Sequence, residues 1–272
     1  MIRSLYHDAR LYLLLIGMQI RAQWQYKVNL ALDIGTYFGV SALELASILL
    51  FFTAFPTLLG WQVGEVTLLA SIVSISFGLA EIVGSGIDNF SWMVQRGEFD
   101  RVLLRPIGAL TQVAGSDFRL RRLGRLTQGC AGFVIAHLWL PHLHWTWDKI
   151  IALPLSIVIG TVIFVSILLL GATLCFWTVE TTEITNILTY GGREMMSYPI
   201  TIYHQLLQRF FFFVVPIAFA SFVPTCYLLE RPLPFGLPVQ LVFAAPLAAF
   251  LFALAAMFVW RFGVQHYQST GS

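Results

Sequence analysis

Residues 150–177 read IIALPLSIVIGTVIFVSILLLGATLCFW, a run of 28 positions without one charged side chain. As an α-helix rising 1.5 Å per residue it is about 42 Å long, more than the ~30 Å of hydrocarbon in a bilayer. In lipid such a helix satisfies its backbone internally and needs no polar face. This stretch sets the fold class, and the rest of the chain repeats it.

Five more apolar segments, at 29–55, 62–84, 124–140, 206–229 and 237–261, are long enough to cross. Overall 58% of the 272 residues are hydrophobic and 11% charged, and the mean hydropathy is +0.78. A soluble domain is about a quarter charged, so a water-facing surface could not be built from this composition. No ten-residue alternation of polar and apolar positions recurs, which argues against a β-barrel. The expectation is an all-α, polytopic membrane protein with six transmembrane helices. The net charge of +2 is too small to argue for nucleic acid as a partner.

The N-terminus reads differently. MIRSLYHDAR is basic and LYLLLIGM apolar, but no small-x-small cleavage site follows and the run is too short to span. Arg3, His7, Arg10, Arg21 and Lys27 interleave with Leu, Tyr, Ile and Trp, the pattern of an amphipathic helix lying in the membrane interface and touching lipid. The expected organisation is an interfacial helix over 1–28, a membrane domain over 29–262 and a tail over 263–272.

Charge distribution orients the bundle. The N-terminal segment, the connection between spans two and three (Arg96, Arg101, Arg105, Arg119, Arg121, Arg122, Arg125), the region of Arg193 and Arg209, and Arg261 together hold 14 of the 16 basic residues. Lys149 and Arg231 remain for the other side. The positive-inside rule then places both termini in the cytoplasm, in the inner membrane of the cell. Trp61, Trp139, Trp145 and Trp147 fall at the expected outer ends and Trp24, Trp177 and Trp260 at the inner ends, where indoles favour the headgroup layer.

Within the spans, Glu44 is costly in hydrocarbon, by about 2.5–3.5 kcal/mol on insertion scales, and must face protein or water. Asp33 lies three helical turns earlier on nearly the same face. The pair reads as a translocation path or a permease dimer interface; equally, Glu44 could be protonated and bonded to a neighbouring helix. Glu65 and Glu81, near the span ends, read as interfacial charges. His137, His142 and His144 gather at one span end, but Pro141 breaks the helix there and interfacial histidines are the simpler reading. No metal site is expected. Cys130, Cys175 and Cys226 lack CxxC spacing and read as apolar fillers.

Two polar stretches carry the remaining signal. In 85–123, Phe90, Met93 and Val94 share a helical face, Gly97 breaks the pattern, and Glu98 and Asp100 add negative charge. This suits either a docking knob for a soluble partner or a plain connection that binds anionic lipid. The stretch 180–205 is interrupted by Gly191-Gly192 and Pro199, and Pro216 and Pro224 follow as expected helix bends.

Here the chain resembles the permease subunits of ABC-2-type transporters. Arg96-Gly97-Glu98-Phe99-Asp100 with Leu103-Leu104-Arg105-Pro106 is similar to their R-G-x-(L/F)-D-x-x-L-L-(K/R)-P signature. Tyr198-Pro199-Ile200-x-Ile202-Tyr203, followed by Pro216-Ile217-Ala218-Phe219 and Phe222-Val223-Pro224, resembles their Y-P-x-x-I-Y…P-x-A-F…x-P run. The resemblance implies a transporter subunit, mostly of exporters, in a dimer of permeases, identical or sister chains, on two cytosolic ATP-binding cassette subunits. It assigns coupling to the ATPase to the segment from Asp88 to Asp100: Asp88, Phe90, Met93, Val94, Arg96, Gly97, Glu98 and Asp100. The sequence has no GxxxxGK[ST], so no cofactor is expected on this chain, which is not an enzyme; ATP and Mg belong to the partner. A non-transporting scaffold that recruits a cytosolic protein is the alternative.

Overall fold

The computed structural model describes residues 2–178 and 186–268, with side chains from Arg10 onward. Residues 180–185, the start of the second polar stretch, and 269–272 of the tail lie outside the described residues. Among the described residues the chain is helical, apart from one bridge between Leu58 and Trp61.

Four helices are long and apolar enough to cross a membrane: α2 (Lys27–Ala54), α3 (Val63–Val83), α9 (Trp147–Leu174) and the final crossing Val239–Gln265, whose α-helical part is α13 (Ala245–Gln265). A fifth, α8 (Leu123–Trp139), has 17 residues. They alternate in direction. One end of the bundle, here called proximal, carries α1 (Ile2–Trp24) and the segment 84–122. The distal end carries the connections around 55–62, 140–146 and 230–238.

The expected fifth span, 206–229, is not a spanning helix. It begins as α11 (Gln205–Arg209), passes through a π-turn at Phe210–Val214, reverses at Val215-Pro216, forms a 3-10 turn at Ile217–Ala220 and returns as α12 (Phe222–Leu229). Arg209 lies over the ring of Phe235, at 5.8 Å, in the distal loop. The reversal reaches the middle of α9, where the Ala220 carbonyl abuts Gly160. The returning limb ends back at the distal face, where Lys149 Nζ meets Glu230 at 2.7 Å. Both limbs therefore start and finish at one end. Arg209 joins Lys149 and Arg231 there, and Arg193 lies within the bundle against Glu44, which leaves twelve of the sixteen basic residues at the proximal end.

The proximal-to-distal passage is made instead by 186–203. A π-turn at Ile187–Gly191 runs into α10 (Gly192–Met196), Pro199 ends the helical path, and a 3-10 turn follows at Ile200–Ile202. The hairpin packs on it, with Ser221 Oγ donating to the Met196 carbonyl at 3.1 Å. Pro199 and Pro216 each stand immediately before a 3-10 turn. Pro224 is the third residue of α12, where a missing N–H costs no helical bond.

The main apolar core joins α3 and α9 to 196–223. Phe77 and Phe164 meet edge to face at 5.0 Å, with Ile163, Met196, Ile200 and Phe222 fully buried around them. The closest helix contact is α3 on α8. A Cβ on Gly129 would stand 3.0 Å from the Ile75 nitrogen, and one on Gly132 would stand 2.5 Å from Ser71 Oγ. Only glycine lets these backbones approach so far. Trp61 and Trp260 sit at the expected ends but are buried against Phe222 and Phe90; packing, and not the headgroup layer, positions them.

Candidate functional site

The proximal segment is a folded platform. Gly84 caps α3, and α4 (Ser85–Asp88) and α5 (Phe90–Gln95) follow with a break at Asn89, whose side-chain amide donates to Asp117. Gly97 adopts φ +67, ψ 12, a left-handed geometry that costs a residue with a Cβ about 1–2 kcal/mol. The chain thereby turns back into α6 (Glu98–Leu103). Phe99 is folded onto Phe90 with ring centroids 4.9 Å apart. Phe90 also meets Trp260 at 5.0 Å and Phe176 at 5.4 Å, so the platform is rooted in the ends of α9 and α13. After Pro106 the chain forms α7 (Ala109–Ala114), whose buried Gln112 donates to the carbonyls of Val102 and Ile107 at 3.1 and 2.9 Å. Tyr267, in the tail, packs on Phe99; burial and the neighbouring Asp100 carboxylate push its hydroxyl pKa up to about 12.

This arrangement divides the expected coupling residues. Phe90 and Val94 are buried and Met93 packs against the same cluster, so this apolar face holds the platform down and cannot meet a partner while the platform is folded. Arg96 and Glu98 point outward, beside exposed Trp92, Arg101 and Leu104. Leu104 is 86% exposed, unusual for leucine beside a charged surface. Trp92, Arg96 and Glu98 also border a surface cleft of about 440 Å³ shared with Asn89, Asp117 and Arg119.

Asp88 points inward. Its Oδ2 accepts from Arg122 Nη2 at 3.0 Å and from the Tyr190 hydroxyl at 3.3 Å. Arg122 Nη1 donates to the Glu81 carbonyl at 2.8 Å. The Glu81 carboxylate lies 3.3 Å from Arg125 Nε and accepts from Tyr190 at 3.4 Å. Glu81 is 1% exposed, so it is not an interfacial charge. It stays inside because Arg122, just before α8, and Arg125 of α8 come with it. Further into the bundle Arg193 Nη2 donates to Glu44 Oε2 at 2.6 Å, and Gln128 Nε2 reaches the same oxygen at 3.2 Å. Glu194 is Arg193's second partner.

Three buried arginines thus face three carboxylates, Glu44, Glu81 and Asp88, across α2, α3, α8 and the 186–203 passage. A buried charge needs such pairing. Arg125 Nε and Nη1 have no aligned hydrogen-bond acceptor; its partners are the Glu81 charge and the face of Phe77, 5.1 Å away. A cavity of about 50 Å³ beside Glu44, lined also by Ser71, Ser74, Gln128, Arg193 and Tyr198, has room for water. Asp33 is not brought to Glu44. It lines a separate cleft at the proximal end with Arg119 and Arg121.

At the distal end Arg231 grips Glu65 through two bonds of 2.8 Å and lies 4.6 Å over Trp61. Glu65 completes a capping box with Gln62 at the start of α3. His137 pairs with Trp145, and among the described residues no three His, Cys, Asp or Glu groups are placed to hold a metal ion. The arginine network was invisible in the sequence, where Arg122, Arg125 and Arg193 read only as orienting charges. Their flanking by apolar helix on one side was the available signal.

Several apolar helices of spanning length mark a multi-pass membrane protein. The family described as "ABC-2 family transporter protein" matches residues 38–271, and the chain belongs to it. It is therefore the membrane component of an ABC-type transporter, a component that is not itself catalytic and that implies partnership with an ATP-binding cassette subunit. No curated protein and no solved structure matches the chain.

Proposed function

We propose that this chain forms half of the transmembrane path of an ABC exporter and takes its stroke at the platform 85–106. The proposed topology has six crossings: α2, α3, α8, α9, the broken passage 186–203 and the final helix. The hairpin 205–229 dips in from the outer face without crossing. The proximal end is cytoplasmic, with α1 along the inner membrane surface. The twelve basic residues at that end support this orientation. A second permease chain and a pair of ATPase subunits complete the assembly, and the outward direction rests on the family resemblance.

The observation that carries the proposal is the inward-turned Asp88. It joins a platform with an exposed charged rim to Arg122, at the foot of α8, by a hydrogen bond of 3.0 Å. A displacement of the platform must move this buried pair or break it. Its neighbours Glu81, Arg125 and Tyr190 touch α3 and the 186–203 passage, which contacts α2 through Glu44 and Arg193. A linked set of pairs with alternative partners can hold two arrangements, as a transmitted conformational change requires.

The test is co-purification with the cognate ATPase. Arg96→Glu combined with Glu98→Lys alters only the exposed rim, so it is expected to abolish association and transport-coupled ATP hydrolysis at unchanged thermal stability. Unimpaired association in that variant, or labelling that finds residue 96 outside the cell, overturns the proposal.

A further inference from the structure

The proximal cleft around Asp33 holds charges of both signs, and two of them are not paired with each other. It measures about 210 Å³ and is lined by Gln19, Gln23, Leu30, Asp33, Arg119 and Arg121 among others. Its walls are tied together. Gln19 donates to the Ser116 carbonyl and Gln23 to that of Phe118, while Gln23 Oε1 accepts from the Leu120 N–H. These bonds bind the end of α1 to the strap 116–120. Arg119 is taken by Asp117 at 3.1 Å. Two charges are left over. Asp33 has no hydrogen bond or ion pair among the described residues, and Arg121 has a buried Nε without an acceptor, its guanidinium resting 5.3 Å over the Tyr37 ring.

An aspartate and an arginine that share a cleft without pairing need a ligand carrying both signs. The cleft sits two turns into the proximal end of α2, a crossing helix, and α1, which lines it with Gln19 and Gln23, also exposes Leu13, Leu14, Met18 and Trp24. That is the depth at which headgroups meet protein. We infer that the cleft is a binding site for one zwitterionic aminophospholipid, its phosphate at Arg121 and its ammonium at Asp33. A primary ammonium donates hydrogen bonds to a carboxylate and a quaternary one cannot, so the site selects phosphatidylethanolamine over phosphatidylcholine. An anionic lipid without an amine would bring its phosphate to Arg121 but leave Asp33 unpaired. The inference depends on α2 crossing the membrane and not on the direction of transport.

The experiment is native mass spectrometry of the full chain, titrated with phosphatidylethanolamine, phosphatidylcholine or phosphatidylglycerol, with glycerophosphoethanolamine as the chain-free source of the same headgroup. One phosphatidylethanolamine is expected to bind in preference to the other lipids. Asp33→Asn is expected to weaken it about tenfold, the size of one lost charge-assisted bond, and to leave phosphatidylcholine binding unchanged. Asp33→Glu restores the preference, which separates recognition from folding. Binding of glycerophosphoethanolamine as tight as that of the lipid would move the site's ligand from the bilayer to the cytosol and overturn the lipid assignment. Equal retention of all three lipids, or a preference that survives Asp33→Asn, sinks the inference altogether.

Discussion

Replacing Glu81 by glutamine tests whether the buried network is held by charge. The substitution keeps volume and the hydrogen-bonding oxygen toward Tyr190 but removes the anion 3.3 Å from Arg125 Nε. Breaking a buried pair by taking one partner typically costs about 3–5 kcal/mol, because the other charge stays inside uncompensated. Arg125 keeps the Phe77 face at 5.1 Å, worth ~1–2 kcal/mol when desolvated. The expected loss is therefore about 3 kcal/mol, or roughly 6–12 °C in melting temperature for a chain of this size. Arg125→Met added to Glu81→Gln removes both charges and is expected to return stability to within about 1 kcal/mol of the parent. The assay is a double-mutant cycle by thermal unfolding in detergent, with Arg125→Met alone as the remaining corner and a coupling of at least about 2 kcal/mol expected between the two sites. If Glu81→Gln costs under about 1 kcal/mol and the two changes simply add, the network is not an electrostatic unit and the argument for it fails.

Phe90→Ala should cost about 3–5 kcal/mol, whereas Trp92→Ala, exposed, should leave melting unchanged but weaken ATPase association in a pull-down; the reverse pattern contradicts the division of the platform into root and rim. Glu44→Gln should insert and fold at normal yield but transport poorly, since Arg193 keeps a neutral acceptor there and retains only Glu194 as counter-charge; wild-type transport and ATP-coupled turnover would clear Glu44 of a role. At the distal face the Lys149 ammonium lowers the Glu230 carboxyl pKa below the usual range. The stabilisation is fully present above the ordinary glutamate pKa of ~4.3 and disappears as pH falls through the lowered folded value. Parent and Glu230→Gln should therefore be separated in melting temperature by a constant gap from neutral pH down to about pH 5, and that gap should close as pH falls further.

The long crossings were legible because uniform apolarity over more than 20 residues has one physical use. The expected limits of 62–84, 150–177 and 237–261 agree with the helices within a few residues. The fifth segment misled because hydropathy reports burial and not what does the burying. Phe211, Phe212, Phe219 and Phe222 are hidden by protein in a hairpin, while the passage 186–203 carries Arg193 and Glu194 and looked too polar to enter. Arg193 can enter because Glu44, 149 residues away in sequence, meets it. The same holds for Asp88: periodicity placed it on a helix, but only the arrival of Arg122 from the next crossing turned it inward. Glu44 needing a partner was readable; which partner was not. Asp33 and Glu44 share a face of α2, yet 16 Å or so along a helix separates them into different surroundings.

Gly129 brings α8 against the backbone of α3 at Ser71 and Ile75, and Gly132 leaves room for the Ser71 hydroxyl. Side chains between helices act as compliant spacers, since each can change rotamer and soak up a small shift. Here that cushion is missing, and sliding would drive main-chain atoms into one another. The two helices must behave as a stiff laminated beam, so a nudge received at its foot near Arg122 reaches the far rim near Trp139 undiminished.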